Sequence, residues 1–367
     1  MDLSQTLQII LAFVIGFSVV VAVIPPILKV ARAKKLFDCP DFRKIHKQEI
    51  PQLGGIAIFG GLIFSATFLL EDHSFVSLKY IMLSIILLLG IGLKDDLIGV
   101  SPFKKFIFQF LTAIILIFFG NIHFTDLHGI FGWHHISAVF GVLLTLFTIL
   151  YIINAFNLID GIDGLASGLA LVASLAFGIW FFLAGYMQYA IISIALAGSL
   201  LGFFLYNVFG RKNKLFMGDT GSLFVGLLIA ILTVKFNEFN LNHANPWSLD
   251  SAPVISLAIV MVPLIDVLRV VVLRVINGKS PFYPDNNHIH HRLLALVPHH
   301  LTVTLIIISG NLFLILLAVL LHFLALDITI QFITILFAGI TLSFIPSFIV
   351  RLSERKKNWN ELQTWPD

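Results

Sequence analysis

The chain has 367 residues, 58% of them hydrophobic and 12% charged, with a formal charge of +3 and a mean hydropathy of +0.99. A soluble domain carries roughly twice that charged fraction, so an ordinary water-soluble globule is excluded, and so small a charge gives no footing for nucleic acid. One cysteine, Cys39, rules out an intrachain disulfide.

Apolar runs recur from end to end, each long enough to cross a hydrocarbon core about 30 Å thick. Eleven spans are predicted, near 7–28, 53–70, 78–94, 103–120, 138–156, 164–184, 187–206, 221–236, 253–275, 303–323 and 328–350. The first is read as a retained helix: only Asp2 precedes it in place of a basic n-region, and it ends in Pro25-Pro26 instead of a small-residue cleavage site. No long polar linker interrupts the series, so residues 1–367 read as one helical membrane domain. The fold class is all-α, a polytopic transmembrane helical bundle.

Charge orients it. All of the 23 Lys and Arg except Lys79 and Lys235 follow odd-numbered spans. The positive-inside rule then places the N-terminus outside, in the periplasm, and the C-terminus in the cytosol. The opposite loops, 121–137 and 237–251, read as short external caps.

Four polar clusters interrupt the apolar pattern, all on the cytosolic side. Gly92-Leu-Lys94-Asp95-Asp96 closes the third span, and two adjacent carboxylates at a membrane edge call for a cation or a raised pKa, unless they are simply a solvated helix end. In Asn154-Ala-Phe-Asn157-Leu-Ile-Asp160-Gly-Ile-Asp163-Gly164, the polar residues 154, 157 and 160 step by three and can share a helix face. A polar helix–helix contact is the plainer alternative. Phe216-Met-Gly-Asp219-Thr-Gly-Ser222 opens the eighth span, either as a plain N-cap or as an anion- and metal-binding turn. The loop from Ser280 to Arg292 carries His288-Ile-His290-His291-Arg292, whose spacing fits no usual zinc pattern. Beside Lys279 it suits a cationic clamp for phosphate or sugar, or it is only a polar surface. Together these residue types describe a Mg²⁺–diphosphate site, and the lack of soft ligands disfavours copper, iron–sulfur or structural zinc. A secondary transporter fits poorly, because the acids gather at one face. Asp266 is the main exception in mid-span.

These motifs, with Asp41-Phe-Arg43-Lys44-Ile-His46 and Pro51-Gln-Leu-Gly54-Gly55 of the first cytosolic loop, resemble in order the signature set of the polyprenyl-phosphate N-acetylhexosamine-1-phosphate transferases. The run from Ser280 to Asp285 and the eleven-span layout resemble the branch that transfers GlcNAc-1-phosphate to undecaprenyl phosphate in O-antigen and enterobacterial common antigen synthesis. The branch that transfers phospho-MurNAc-pentapeptide has three consecutive histidines, which Ile289 interrupts here. The resemblance implies a bacterial inner-membrane enzyme that takes UDP-GlcNAc and undecaprenyl phosphate and releases UMP. It also implies Mg²⁺, with Mn²⁺ as a substitute, a cytosolic active site, and room for a homodimer. Asp219 matches the metal ligand, with Asn157 beside metal and diphosphate. Asp95 and Asp96 match the pair that positions or deprotonates the lipid phosphate. Lys105, with Lys104 as the alternative, matches a basic residue near that phosphate. Phe216 and Asp163 match uracil contacts. His288, His290, His291 and Arg292 fall where the family grips phosphate and sugar. Asp160 matches a motif acid with no individual role assigned.

Overall fold

The computed structural model describes residues 3–36, 50–70, 76–278 and 288–363. Cys39, the 41–46 motif and the run 280–287 lie outside the described residues. In chain order the elements are α1 (Leu3–Lys34), α2 (Gly54–Leu69), α3 (Val76–Ile98), α4 (Pro102–Ile114) running on into a π-helical turn (Ile115–Phe119), the hairpin β1 (Asp126–Ile130) and β2 (Trp133–His135), α5 (Ala138–Ile159), α6 (Leu165–Leu183), α7 (Met187–Phe209), α8 (Gly218–Phe239), α9 (Ala252–Ile276), α10 (Ile289–Leu296), α11 (His300–Phe323) and α12 (Ile328–Gln363).

Each predicted span falls on one of these helices. Nine of the described helices are long and apolar enough to cross a membrane, and α2 is a shorter apolar helix of 16 residues. The chain is an all-α membrane bundle. Two local differences from the sequence reading stand out. Residues 126–135, read as part of a plain cap, form an antiparallel hairpin pairing Asp126 with His135 and Ile130 with Trp133. Residues 289–296, read as loop, form α10. It is too short and too polar for a hydrophobic period to announce it.

α8 is the central helix. Every residue from 220 to 234 is buried, and it packs on α2, α3, α5, α6 and α9. The peripheral helices turn large apolar side chains outward instead: Phe118 and Phe119 after α4, Phe313 in α11, Phe337 and Phe348 in α12. That is an outside fit for lipid, not water.

Small residues set the close approaches, as expected where no hydrophobic effect drives helices together. A Cβ on Gly55 of α2 would lie 2.3 Å from the Gly221 nitrogen of α8, and one on Gly92 of α3 would lie 2.6 Å from the Asp219 carbonyl oxygen. The entry to α8 is held by backbone as well: Phe216 N–H donates to the Pro51 carbonyl (2.9 Å), and the Gly54 and Gly55 N–H groups donate to the carbonyls of Phe216 (2.9 Å) and Met217 (3.0 Å). Gly218 takes a φ of +71° at this turn, and a Cβ there would meet an Asp96 carboxylate oxygen at 2.5 Å, so only glycine suits both demands.

Gly92→Ala is expected to cost about 1–3 kcal/mol by forcing α3 off α8, seen as a lower thermal midpoint in detergent. Gly90→Ala, on the same helix with open space at its Cβ, is expected to be neutral or slightly stabilising. Equal midpoints for the two variants would refute close packing at Gly92.

Candidate active site

The C-terminal end of α3, the start of α4, the C-terminal end of α5 and the start of α8 meet at one end of the bundle. Asp96, in the last turn of α3, directs its carboxylate onto the first turn of α8. It accepts the N–H of Asp219 (2.8 Å), the N–H of Thr220 (2.9 Å) and the Thr220 hydroxyl (2.5 Å). This is an N-cap supplied by another helix: it satisfies free N–H groups at the positive end of α8, while burial pushes the Asp96 carboxyl up to about 7 against the hydrogen bonds it accepts. Asp95 faces elsewhere. One of its oxygens accepts the Val100 N–H (2.6 Å) and the other lies 3.1 Å from Lys105 Nζ. The sequence reading paired Asp95 and Asp96 in one task, and the structure gives them different partners.

Lys105 bridges two carboxylates, 3.1 Å from Asp95 and 2.7 Å from Asp219, and all three side chains are about one-fifth exposed. Lys104 is exposed, so Lys105 is the basic residue at this site. The other oxygen of Asp219 accepts from the Asn157 amide (3.0 Å), which also donates to Ser222 Oγ (2.9 Å). Asn154, on the same face of α5, is engaged with Gln109 (2.7 Å) and the Leu150 carbonyl instead. Asp160 follows directly after α5. Burial first, then the charges of Asp219, Asp96 and Asp163, hold its carboxyl well above the usual carboxylate range.

A second grouping adjoins the first. Asp163 contacts Lys214 Nζ (2.6 Å) and His300 Nδ1 (2.9 Å) through one oxygen. Burial pushes its carboxyl up, but the His300 and Lys214 hydrogen bonds and the Lys214 charge outweigh it and hold the group below its ordinary value. Its other oxygen is buried with no hydrogen-bond partner among the described residues. Lys214 Nζ also lies 5.6 Å from the Phe216 ring centroid, so Asp163 and Phe216 share a neighbour. Gly164 fixes this turn with a φ of +77° and an N–H donated to Asn207 (2.6 Å). Lys214 entered the sequence reading only as a charge, and His300 not at all; neither stands in a motif that would single it out.

The histidine motif packs beside this turn. A Cβ on Gly161 would lie 2.6 Å from His290 Nε2, so Gly161 makes room for that ring. The rings of His290 and His291 are 4.4 Å apart and those of His288 and His290 are 5.5 Å apart. His290 is 1% exposed, while His291 and Arg292 are half-buried. Arg292 lines a cavity of about 400 Å³ with Arg269, Phe344 and Ser347. Burial pushes the His290 imidazole down to about 3, so the ring is neutral. The cationic clamp read from the sequence therefore does not include His290 as a charge.

The groups around Asp219 are hard: carboxylates, the Ser222 hydroxyl and the Asn157 side-chain amide, whose N–H is turned to Asp219. No cluster of three His, Cys, Asp or Glu suited to a metal ion occurs among the described residues. The set fits Mg²⁺, which keeps waters and substrate phosphate oxygens in its coordination sphere and needs only one or two protein carboxylates. It does not fit an ion that relies on a full protein cage.

A membrane bundle with carboxylates, a shared lysine and a histidine motif at one end has the makings of a transferase that works on anionic groups. Comparison with known proteins bears on this directly. The pattern of Glycosyl transferase family 4 matches residues 78–237. The chain is 35% identical over 269 residues to the undecaprenyl-phosphate alpha-N-acetylglucosaminyl 1-phosphate transferase of Escherichia coli (strain K12), covering 72% of this chain and 71% of that protein. It is 34% identical to the protein of the same description from Yersinia pestis, with the same coverage. It is 33% identical over 293 residues to the decaprenyl-phosphate N-acetylglucosaminephosphotransferase of Mycobacterium tuberculosis (strain CDC 1551 / Oshkosh), covering 73% of this chain and 71% of that protein. The chain belongs to the polyprenyl-phosphate N-acetylhexosamine-1-phosphate transferases of glycosyl transferase family 4.

The state of His290 sets an acid limit on stability. Between pH 6.5 and about 3 the unfolded chain binds a proton at this ring and the folded chain does not, so stability rises with pH in that window. It is fully present above 6.5 and falls by about 1.4 kcal/mol per pH unit below it. On acidification from pH 7 to 5 the thermal midpoint of the wild type should therefore fall relative to that of His290→Gln. Parallel slopes would contradict a buried neutral ring.

Proposed function

We propose that this protein transfers GlcNAc-1-phosphate from UDP-GlcNAc to undecaprenyl phosphate, giving undecaprenyl-diphosphate-GlcNAc and UMP, at the cytosolic face of a bacterial inner membrane. The observation that carries the reading is Lys105 standing between Asp95 and Asp219, with Asn157 on the far oxygen of Asp219. One cation is there shared by two carboxylates from different helices, which is how a site built to exchange anions and cations holds itself together before its substrates arrive.

In the reaction an oxygen of the lipid phosphate attacks the phosphorus that carries the sugar. The bond from that phosphorus to the bridging oxygen breaks, and UMP leaves. Both partners are anions, so charge neutralisation is the main requirement. Asp219 and Asn157 would hold Mg²⁺ or Mn²⁺, and the bound ion would supply the charge that neutralises the donor diphosphate. Lys105 holds the acceptor phosphate, and Asp95 keeps the lysine in place. Asp96 acts through the α8 backbone. Asp160 stands at this cluster as an acid whose carboxyl burial raises. The partnerless oxygen of Asp163 accepts the imide N–H of uracil, and the Phe216 ring stacks on the base. His291 and Arg292 grip the diphosphate and His288 the sugar, with His290 packing the motif against Gly161. The charge asymmetry of the loops supports an outside N-terminus and a cytosolic C-terminus. Escherichia coli and Yersinia pestis relatives named for the undecaprenyl acceptor support that acceptor, and the resemblance of the motif set to the O-antigen and enterobacterial common antigen branch supports a role there.

Purified protein incubated with undecaprenyl phosphate, Mg²⁺ and a panel of UDP-sugars should release UMP with UDP-GlcNAc, and EDTA should stop it. Asp219→Asn should lower turnover by at least about 10²-fold, the scale of losing one charge-stabilising group, with the protein still inserted. UMP release from a different UDP-sugar alone would refute the donor, and wild-type turnover by Asp219→Asn would refute the metal site.

A further inference from the structure

Asp266 is an acid inside α9, on a helix otherwise apolar from Leu257 to Leu268. An ionisable group in a membrane helix is costly and persists only where it is paired or used. Its side chain is 2% exposed and both oxygens are taken. One accepts the Ile289 N–H at 2.7 Å. The other lies 2.9 Å from His288 Nδ1 and 3.8 Å from His290 Nδ1. Ile289 is the first residue of α10, so a single carboxylate both caps that helix and faces the histidine before it.

We infer that Asp266 is a positioning residue of the transfer reaction: it fixes the tautomer and orientation of His288, so that Nδ1–H points at the carboxylate and Nε2 faces the donor as an acceptor for a hydroxyl or N–H of its sugar. This rests on the reading of His288 as a donor contact. A carboxylate is an acceptor only, so the ring nitrogen beside it carries the proton and the opposite nitrogen is left for the ligand. The same carboxylate, bound to the Ile289 amide, prevents α10 from turning about its axis, so the direction of the ring is set together with its tautomer. The arrangement is the one by which a buried acid orients a working histidine without touching substrate. His291 and Arg292 follow on the same helix and inherit the register.

The test is a double-variant cycle on the full-length protein in detergent, reading UMP release at varied UDP-GlcNAc and varied undecaprenyl phosphate. Asp266→Asn offers an N–H where the carboxylate accepted one and so disfavours the native tautomer. It should lower kcat/KM for the donor by about 10–100-fold, leave the acceptor KM unchanged and keep the thermal midpoint. His288→Gln should be impaired in the same parameter, and the double variant should be no worse than His288→Gln alone. If Asp266→Asn does not survive extraction, Asp266→Glu serves in its place: it keeps the carboxylate, displaces the ring, and should show the same lack of additivity. With His288→Gln impaired, wild-type donor kinetics in the Asp266 variant would overturn the inference. So would losses that multiply in the double variant, or equal losses toward donor and acceptor. If wild-type protein releases no UMP from any UDP-sugar, or His288→Gln turns over normally, the functional reading falls and the inference falls with it.

Discussion

Asp219 stands where it does because its own N–H, and that of Thr220, end on the carboxylate of Asp96. The central helix of the bundle therefore begins against a carboxyl group delivered by its neighbour, at the end where its dipole is positive. Much else follows from this contact. Gly92 must lack a side chain so that α3 can come that close to α8, and Gly218 must adopt a left-handed backbone under the same carboxylate. With the first turn of α8 fixed, Asn157 reaches one oxygen of Asp219 and Lys105 the other. The site is a consequence of how four helices are joined, and not a set of residues placed independently on them.

The membrane bundle was legible from hydropathy alone, since each apolar interval had one helical solution: a spanning segment must satisfy its own backbone hydrogen bonds. The gathering of Asp95, Asp96, Asn157, Asp160 and Asp219 was legible too, because polar residues at the ends of apolar helices have few places to go. The division of labour was not. Adjacent residues on a helix point about 100° apart, so Asp95 and Asp96 read as a pair but face Lys105 and α8 respectively. Lys105 and Lys104 could not be ranked until one proved exposed and the other shared between two acids. Asn154 has the spacing of a site residue, yet its amide is spent on Gln109. Lys214 and His300 were invisible because their importance comes from Asp163, which lies far from them in sequence.

Asp266 shows the same limit from the other side. As a lone acid in mid-span it was conspicuous, and intramembrane acids draw attention to transport. Its partners, His288 and the Ile289 amide, lie more than 20 positions away, and only the structure connects them. The histidine motif, read as a charged loop, is instead a short helix whose middle ring is buried and neutral. Burial explains the difference: a ring packed against Gly161 cannot keep a proton without solvent or a carboxylate at hydrogen-bond distance.

The central claim is that Asp96 serves the reaction through the backbone of α8 and not by touching the acceptor. The most direct measurement is the Mg²⁺ dependence of UMP release by Asp96→Asn, taken together with its KM for undecaprenyl phosphate. A displaced Asp219 should raise the Mg²⁺ needed for half-maximal rate by about 10–100-fold, the usual scale for losing a partner that orients a metal ligand, with the acceptor KM unchanged. An unchanged Mg²⁺ requirement with a raised acceptor KM would contradict the account and return Asp96 to the lipid phosphate.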